Sequence, residues 1–237
     1  KTSSMKTAIL IPARYGSTRF EGKPLCMLDG VPMIKRVYDA CTASKIPTYV
    51  LTDDVRIFDL FGPRQCWIDQ EKEYANGTER CAGAITDSNF IKYLGHYDNI
   101  INVQGDMPDV DVAMIQQVQW HLQHYSVTTA FTEMPLCMQE DPNTVKMIKA
   151  GDQALWFGRG ITGYGDWHLG IYGYRRNALE MYSTLKVTLE EDIEQLEQLR
   201  WLKNAWQIGC LSVQYNGVEI NAPEDVDQWH INNKRSQ

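Results

Sequence analysis

Apolar positions in the first half of the chain alternate between short continuous runs and stripes at helical spacing. Ala8 to Ile11 is an apolar run that reads as a buried strand and breaks at Pro12. After Pro32, Met33, Val37 and Ala40 share one face of a helix-like segment, and Tyr49-Val50-Leu51 then forms a second strand ending in Thr52-Asp53-Asp54. A helix through Ile57 and Leu60 follows, and Gly77-Thr78 opens another with Cys81, Ala84 and Ile85 inward. The β-branched run Ile100-Ile101-Asn102-Val103 ends in Gln104-Gly105-Asp106, and Met114, Ile115, Val118 and Leu122 mark a helix within Asp111 to Tyr125. This alternation predicts an α/β fold with a doubly wound, mainly parallel, Rossmann-like sheet. Ligands of such sheets bind outside the carboxyl ends of the strands, where the polar endings PAR, TDD and QGD fall.

The second half is less regular. Val127 to Phe131 and Val145 to Ile148 read as strands, and the glycine-rich stretch Gly158 to Gly165 separates Leu155-Trp156-Phe157 from Leu169 to Tyr174. Leu189, Ile193, Leu196, Leu199, Leu202 and Trp206 then form a stripe that predicts one long helix, with Glu190, Glu191 and Asp192 at its start and Arg200 and Lys203 near its end. A strand over Ile208 to Val213 and a helix from Pro223 close the pattern. The expectation is a single domain over residues 5–232, in which 127–187 form an inserted, smaller strand-rich part. Residues 1–4 read as a cloning remnant outside the fold.

Composition narrows the class. Over 237 residues, 43% are hydrophobic and 22% charged, the balance of a globular protein. No apolar run approaches the roughly 18 residues that span a bilayer, so no membrane partner is expected. Six scattered cysteines with no C-x-x-C pair, and no visible leader, suit a cytoplasmic protein without disulfides. A net charge of −7 argues against nucleic acid as a partner. The exception to that charge is local: between Arg14 and Lys23, three cations (Arg14, Arg19, Lys23) and two glycines (Gly16, Gly22) face one acid, Glu21. A flexible cationic loop following a strand can hold a polyphosphate through backbone N–H groups and fixed positive charge. Neither G-x-x-x-x-G-K-[ST] nor G-x-G-x-x-G occurs, and an ordinary polar surface loop is the plain alternative. Asp106, directly after a buried strand, suits Mg²⁺, which is held by one or two carboxylates plus phosphate oxygens; the alternative is a loop aspartate that caps the next helix. His121 and His124 share a helix turn but lack a third ligand.

The wording of these segments carries more. IPARYGSTRFEGKPL resembles the signature loop of the CMP-sugar nucleotidyltransferases, in particular the 3-deoxy-manno-octulosonate (Kdo) cytidylyltransferase family. NVQGD is a hallmark of the same family; TDDVRI resembles its TDD-x-R-I, NGTER its SGTDR, ALWFGR its ALYFSR, and EQLEQLR its ESLEQLR, while HLGIY is shared. The resemblance runs from about Lys6 to Trp229. It implies transfer of CMP from CTP to an acidic sugar, with Mg²⁺ as cofactor and a homodimer as the assembly. By the same resemblance Lys23, Arg14 and Asp106 are catalytic. Ala13, Arg14, Gly16, Ser17, Arg19, Lys23, Thr52, Asp53, Gly77, Thr78, Arg80 and Gln104 would bind the nucleotide. Gln104, Arg159, His168, Tyr172, Glu197 and Gln198 would surround the sugar acid, and Asp106 and Asn221 would stand at the metal. Four departures stand out. Tyr74 replaces a histidine, Phe20-Glu21 replaces Leu-Pro, the stretch from Arg159 to His168 is short, and Asn221 replaces a metal-binding aspartate. Glu219, two residues upstream, would face the same side as Asn221 on an extended strand. Two rival readings follow: another acidic acceptor (an amino-Kdo, a different sugar acid or a phosphonate), or a nucleotide-binding member without turnover.

Overall fold

The structure, a computed structural model, describes residues 5–235; residues 1–4 lie outside the described residues. Its strands are β1 (Thr7–Ala13), β2 (Met27–Leu28), β3 (Val31–Pro32), β4 (Thr48–Thr52), β5 (Cys66–Ile68), β6 (Asn99–Val103), β7 (Val127–Thr132), β8 (Lys146–Ala150), β9 (Gln153–Gly158), β10 (Asp166–Arg175) and β11 (Ile208–Ser212). Its helices are α1 (Met33–Thr42), α2 (Val55–Phe61), α3 (Gly77–Thr86), α4 (Ile91–Leu94), α5 (Val112–His121), α6 (Arg176–Tyr182), α7 (Leu189–Glu194), α8 (Leu199–Lys203) and α9 (Pro223–Arg235).

Nine strands form one sheet in the order β5-β4-β1-β6-β10-β7-β11-β9-β8. β5, β4, β1 and β6 pair in parallel. Chain connections leave β1 toward β4 on one side and reach β6 on the other, so the strand order reverses there and opens a crevice at the carboxyl ends of β1 and β6. The unbroken apolar run of β1 follows from its two-sided burial. Ile9 and Ile11 pack on a core with α1, α2 and α5, whereas Ala8 and Leu10 face a second core with α3, α6 and α8.

The α/β class holds, but the sheet is mixed where a mainly parallel one was expected. β10 lies antiparallel between β6 and β7, and β8 and β9 form an antiparallel hairpin at the far edge. The connections explain the difference. β8 turns into β9 over Gly151, whose φ of +59° favours glycine, and β9 reaches β10 through a loop with no helix, too short for a parallel crossover. Residues 127–187 thus contribute four strands to this same sheet.

The long helix expected over Leu189 to Trp206 is two short ones. Gln195 sits in the left-handed region at φ 53°, and the chain turns before α8 begins. Periodicity misled because polar positions are used inside. Arg200, 1% exposed, donates to Glu191 at 2.6–3.1 Å and to Glu79 Oε1 at 2.7 Å, while Leu189 and Ile193 lie 71% and 69% exposed. Removing one partner of a buried ion pair leaves an uncompensated charge and costs roughly 3–5 kcal/mol. Arg200→Ala is therefore expected to lower unfolding free energy by about that amount in urea denaturation, and Lys203→Ala, on the exposed pair with Glu190, to change it little.

Candidate active site

A cavity of about 640 Å³ opens where the crevice was expected, at the ends of β1 and β6. Its floor is compact because a Cβ on Gly105 would approach the Pro12 carbonyl to 3.1 Å, so glycine lets the two strand ends close up. Above it the loop after β1 folds back. Gly22, at φ 68°, donates its N–H to the Tyr15 carbonyl at 3.0 Å, and a single helical turn from Lys23 to Leu25 begins there. The turn aims Lys23 inward, where Nζ contacts Asp106 Oδ2 at 2.9 Å. Arg14, Ser17, Thr18 and Arg19 also line the cavity here, and the Arg14 guanidinium makes no hydrogen bond or ion pair among the described residues.

The loop is braced from behind. Asp53 Oδ1 accepts from Tyr15 N–H at 3.0 Å and Oδ2 from Arg80 Nη2 at 3.2 Å, while the Arg56 guanidinium stacks 3.5 Å from the centre of the Tyr15 ring. Arg80 is 4% exposed, and its Nη1, buried in the cavity wall, has no partner. Asn76 and Glu79 cap the start of α3 reciprocally: Asn76 Oδ1 accepts from Glu79 N–H at 2.9 Å, and Glu79 Oε2 from Ala75 N–H at 2.9 Å. That cap fixes Gly77 against β1, where a Cβ would meet Pro12 Cγ at 2.9 Å.

Polar side chains from β10 and the α7–α8 turn build the opposite side. Glu197 accepts from Thr78 N–H at 2.7 Å and from Gln104 Nε2 at 2.9 Å, and its burial raises the carboxyl above the usual range. Tyr172 donates to Gln198 Oε1 at 3.1 Å. Arg159 is held along its length: its N–H donates to Glu194 Oε2 at 3.0 Å, Nε to the Glu194 carbonyl at 3.2 Å, and Nη1 to the Asn143 carbonyl at 2.8 Å. Burial, then the charge of Arg19, lowers its pKa from the ordinary value.

His168 is buried, with Nε2 2.9 Å from Thr129 Oγ1. The single hydroxyl proton of Thr129 goes to the Ile171 carbonyl at 2.7 Å, so Nε2 carries the imidazole proton and Nδ1 remains an acceptor. Burial, then the charge of Arg159, pushes its pKa down to about 3, so it works as a neutral ring. An unfolded imidazole takes its proton near 6.5. The unfolded state therefore binds more protons from that pH down to about 3, and stability falls as pH drops through the window. Denaturation between pH 4.5 and 7 is expected to show a shallower acid slope for His168→Asn than for the parent; equal slopes would place a charged imidazole in the folded protein.

Of the residues expected from sequence, Ala13, Arg14, Ser17, Arg19, Lys23, Gly77, Arg80, Gln104, Asp106, Arg159, His168, Tyr172, Glu197, Gln198 and Asn221 line this one cavity. Gly16, Thr52, Asp53 and Thr78 do not. Thr52 is wholly buried and accepts from Asp54 N–H at 3.2 Å; Asp53 and Thr78 brace the wall from outside it, and Gly16 lies exposed on the loop. Glu194, Gln195 and Asn143 were not foreseen. The left-handed turn at Gln195 brings the first two there; both open the EQLEQLR segment, whose wording marks the region while its spacing reads as continuous helix. Glu219 lies in the wall, its carboxyl pushed up to about 8 by burial and then by the charge of Asp106.

A cationic strand-end loop, an aspartate across from it and a polar pocket beyond define a nucleotide-handling α/β enzyme. Residues 8–208 match the cytidylyltransferase family, and the chain belongs to it. Among curated relatives, the 8-amino-3,8-dideoxy-manno-octulosonate cytidylyltransferases of Shewanella sediminis and Shewanella woodyi are 36% and 37% identical, each over 94% of this chain and 96% of the relative. A solved CMP:2-keto-3-deoxy-manno-octonic acid synthetase, complexed with CTP, superposes with a TM-score of 0.84 at 29% identity, covering 98% of this chain and all of the other. The fold alone is shared with 4-diphosphocytidyl-2C-methyl-D-erythritol synthase of Anaerococcus prevotii, at a TM-score of 0.65 and 12% identity over 98% of this chain and all of that one. The chain is a nucleotidyltransferase of the Kdo cytidylyltransferase type.

Proposed function

We propose that the chain transfers CMP from CTP to the anomeric hydroxyl of Kdo or a Kdo-like sugar acid and releases pyrophosphate, with Mg²⁺ as cofactor. The observation that carries this reading is the polarity of the cavity. Arg14 and Lys23 stand at the strand-end loop with Asp106 paired to Lys23, and Arg159, His168, Tyr172 and Gln198 line the pocket beyond, where Arg19 reaches Asn143 Oδ1 at 3.1 Å beside Arg159. Arg14, Lys23 and the unpartnered Nη1 of Arg80 would neutralise the triphosphate, and the planar fork of Arg159 would take the sugar carboxylate. In the transfer, the anomeric oxygen forms a bond to the α-phosphorus, the bond to the β-phosphate oxygen breaks in line, and the hydroxyl proton is released. Positioning and charge neutralisation supply most of the rate in such a step. Lys23 would follow the charge that develops on the leaving pyrophosphate.

For a divalent cation the donor set fits. Among the described residues no three of His, Cys, Asp and Glu converge to hold a metal unaided. Mg²⁺ needs less: one or two carboxylates, with phosphate oxygens and water supplying the rest. Asp106 and Asn221 would hold it, and a buried oxygen of Glu219 without a partner lies in the same cavity wall. Bound there, Mg²⁺ would neutralise phosphate oxygens as a Lewis acid.

A second reading, an amino-Kdo acceptor, is favoured by the names of the Shewanella relatives. An ammonium at the far end of the sugar could find carboxylate partners in Glu194 and Glu197, both in the cavity wall. Pyrophosphate release from CTP with Kdo and with 8-amino-8-deoxy-Kdo, each tested alone, decides between the acceptors. Release with neither would remove the transferase reading and leave a nucleotide binder. We infer further a homodimer, a reading supported by exposed Leu155, Leu189 and Ile193, and a cytoplasmic location, which the free cysteines suit. Among the described residues no helix is long and apolar enough to cross a membrane.

A further inference from the structure

Glu219 is given no ligand role above, yet the fold fixes it firmly. It belongs to the extended stretch between β11 and α9, which is pinned at two points to the loop after β6. Val218 N–H donates to Asp109 Oδ2 at 2.9 Å, and Ile220 N–H donates to the Asp106 carbonyl at 3.0 Å. Ile220 is fully buried in a small core with Leu28, Met33 and Trp229. Alternation along an extended chain then sends residues 219 and 221 to the opposite side, and both line the cavity.

The chemistry of the position is unusual. Glu219 Oε1 is sealed from solvent and has no hydrogen-bond partner. One backbone N–H, that of Gly170, supports the carboxylate, and the charged groups around it are Asp106, Lys23 and Arg159. Lys23 Nζ is already engaged by Asp106 Oδ2 at 2.9 Å, and Arg159 is held by Glu194 and Asn143. Two neighbouring carboxylates, one with an oxygen sealed from water, are costly unless one of them takes a proton or a cation stands between them. Hard oxygen donors are what Mg²⁺ prefers, and an asparagine oxygen brings no charge to such a set.

We propose that Glu219 supplies the second carboxylate of the divalent-cation site, facing Asp106, with Asn221 beside it as a neutral oxygen donor. The proposal rests on the nucleotidyl-transfer reading, so its test reads metal binding directly. Mn²⁺ is the probe, and its free fraction is followed by electron paramagnetic resonance on the intact protein saturated with CTP and without acceptor. Glu219→Gln is expected to weaken Mn²⁺ binding by at least about tenfold to a hundredfold, the range already seen when a metal site loses an outer-shell partner of a ligand. CTP binding in EDTA should be unchanged, and Asn221→Asp should tighten Mn²⁺. Glu219→Asp, shorter by one methylene, serves in the same assay if the glutamine variant does not fold, with weakened binding again expected. Unaltered Mn²⁺ affinity in the variant assayed would overturn the proposal. So would a Glu219→Gln protein that binds Mn²⁺ normally and loses only its response to an amino sugar, since the carboxylate would then serve an ammonium. A parent protein that binds Mn²⁺ and CTP yet transfers no CMP would defeat the functional reading and leave the metal comparison standing.

Discussion

Lys23→Ala is expected to fold as the parent does and to lose about a hundredfold or more in turnover with CTP and acceptor. The direction follows from where the ammonium is held. Gly22 in the left-handed region and Pro24 inside the following turn restrict the backbone on both sides of Lys23. Its Nζ thus stays at the junction of the cationic loop and Asp106. An ammonium placed where charge develops on a leaving pyrophosphate stabilises the transition state more than the ground state, and removing one such donor typically costs about 10²–10³ in kcat. Thermal unfolding should change little, because Lys23 and Asp106 both keep some contact with solvent. Steady-state kinetics measures the effect. Turnover near that of the parent would mean that the loop does not face the reacting phosphates.

Arg159→Ala should raise KM for the sugar acid by roughly ten- to a hundredfold while leaving KM for CTP near the parent value, the cost of losing a charged hydrogen-bonding partner. Arg159→Lys should recover little of it, because a single ammonium cannot reproduce the fork that meets a carboxylate in two places. The backbone carbonyls of Asn143 and Glu194 already hold the guanidinium in position. The mutation therefore removes a pre-set donor. A uniform loss in both KM values would point to collapse of the β9–β10 loop.

Much of this site was legible because its chemistry sits at strand ends. An apolar run that stops at Pro12, and another that stops at Gln104-Gly105-Asp106, each mark a carboxyl end of the sheet, and the crevice lies there. Motif wording located Arg159, His168 and Glu197, which no periodicity brings together. Two things could not be read. The stripe from Leu189 to Trp206 satisfies a helix at every apolar position, yet burial of Arg200 on Glu191 and Glu79 favours a break at Gln195. Such an ion network has no signature in spacing. The antiparallel β10 is set by a connection that lacks a helix, and a glycine-rich stretch reads the same whether it joins a hairpin or a crossover. Asp53 and Thr78 illustrate a further limit: a motif names residues that matter without saying whether they line a cavity or, as here, brace its wall.

The central claim is cytidylyl transfer to an acidic sugar, and ³¹P NMR of the reaction tests it most directly. With CTP, Mg²⁺ and either Kdo or 8-amino-8-deoxy-Kdo, the account predicts loss of the three CTP resonances. A single phosphodiester signal and free pyrophosphate should appear in equal amounts, with no such signals when ATP or GTP replaces CTP. An unchanged CTP spectrum with both acids, under conditions where CTP binding is demonstrated, would contradict it.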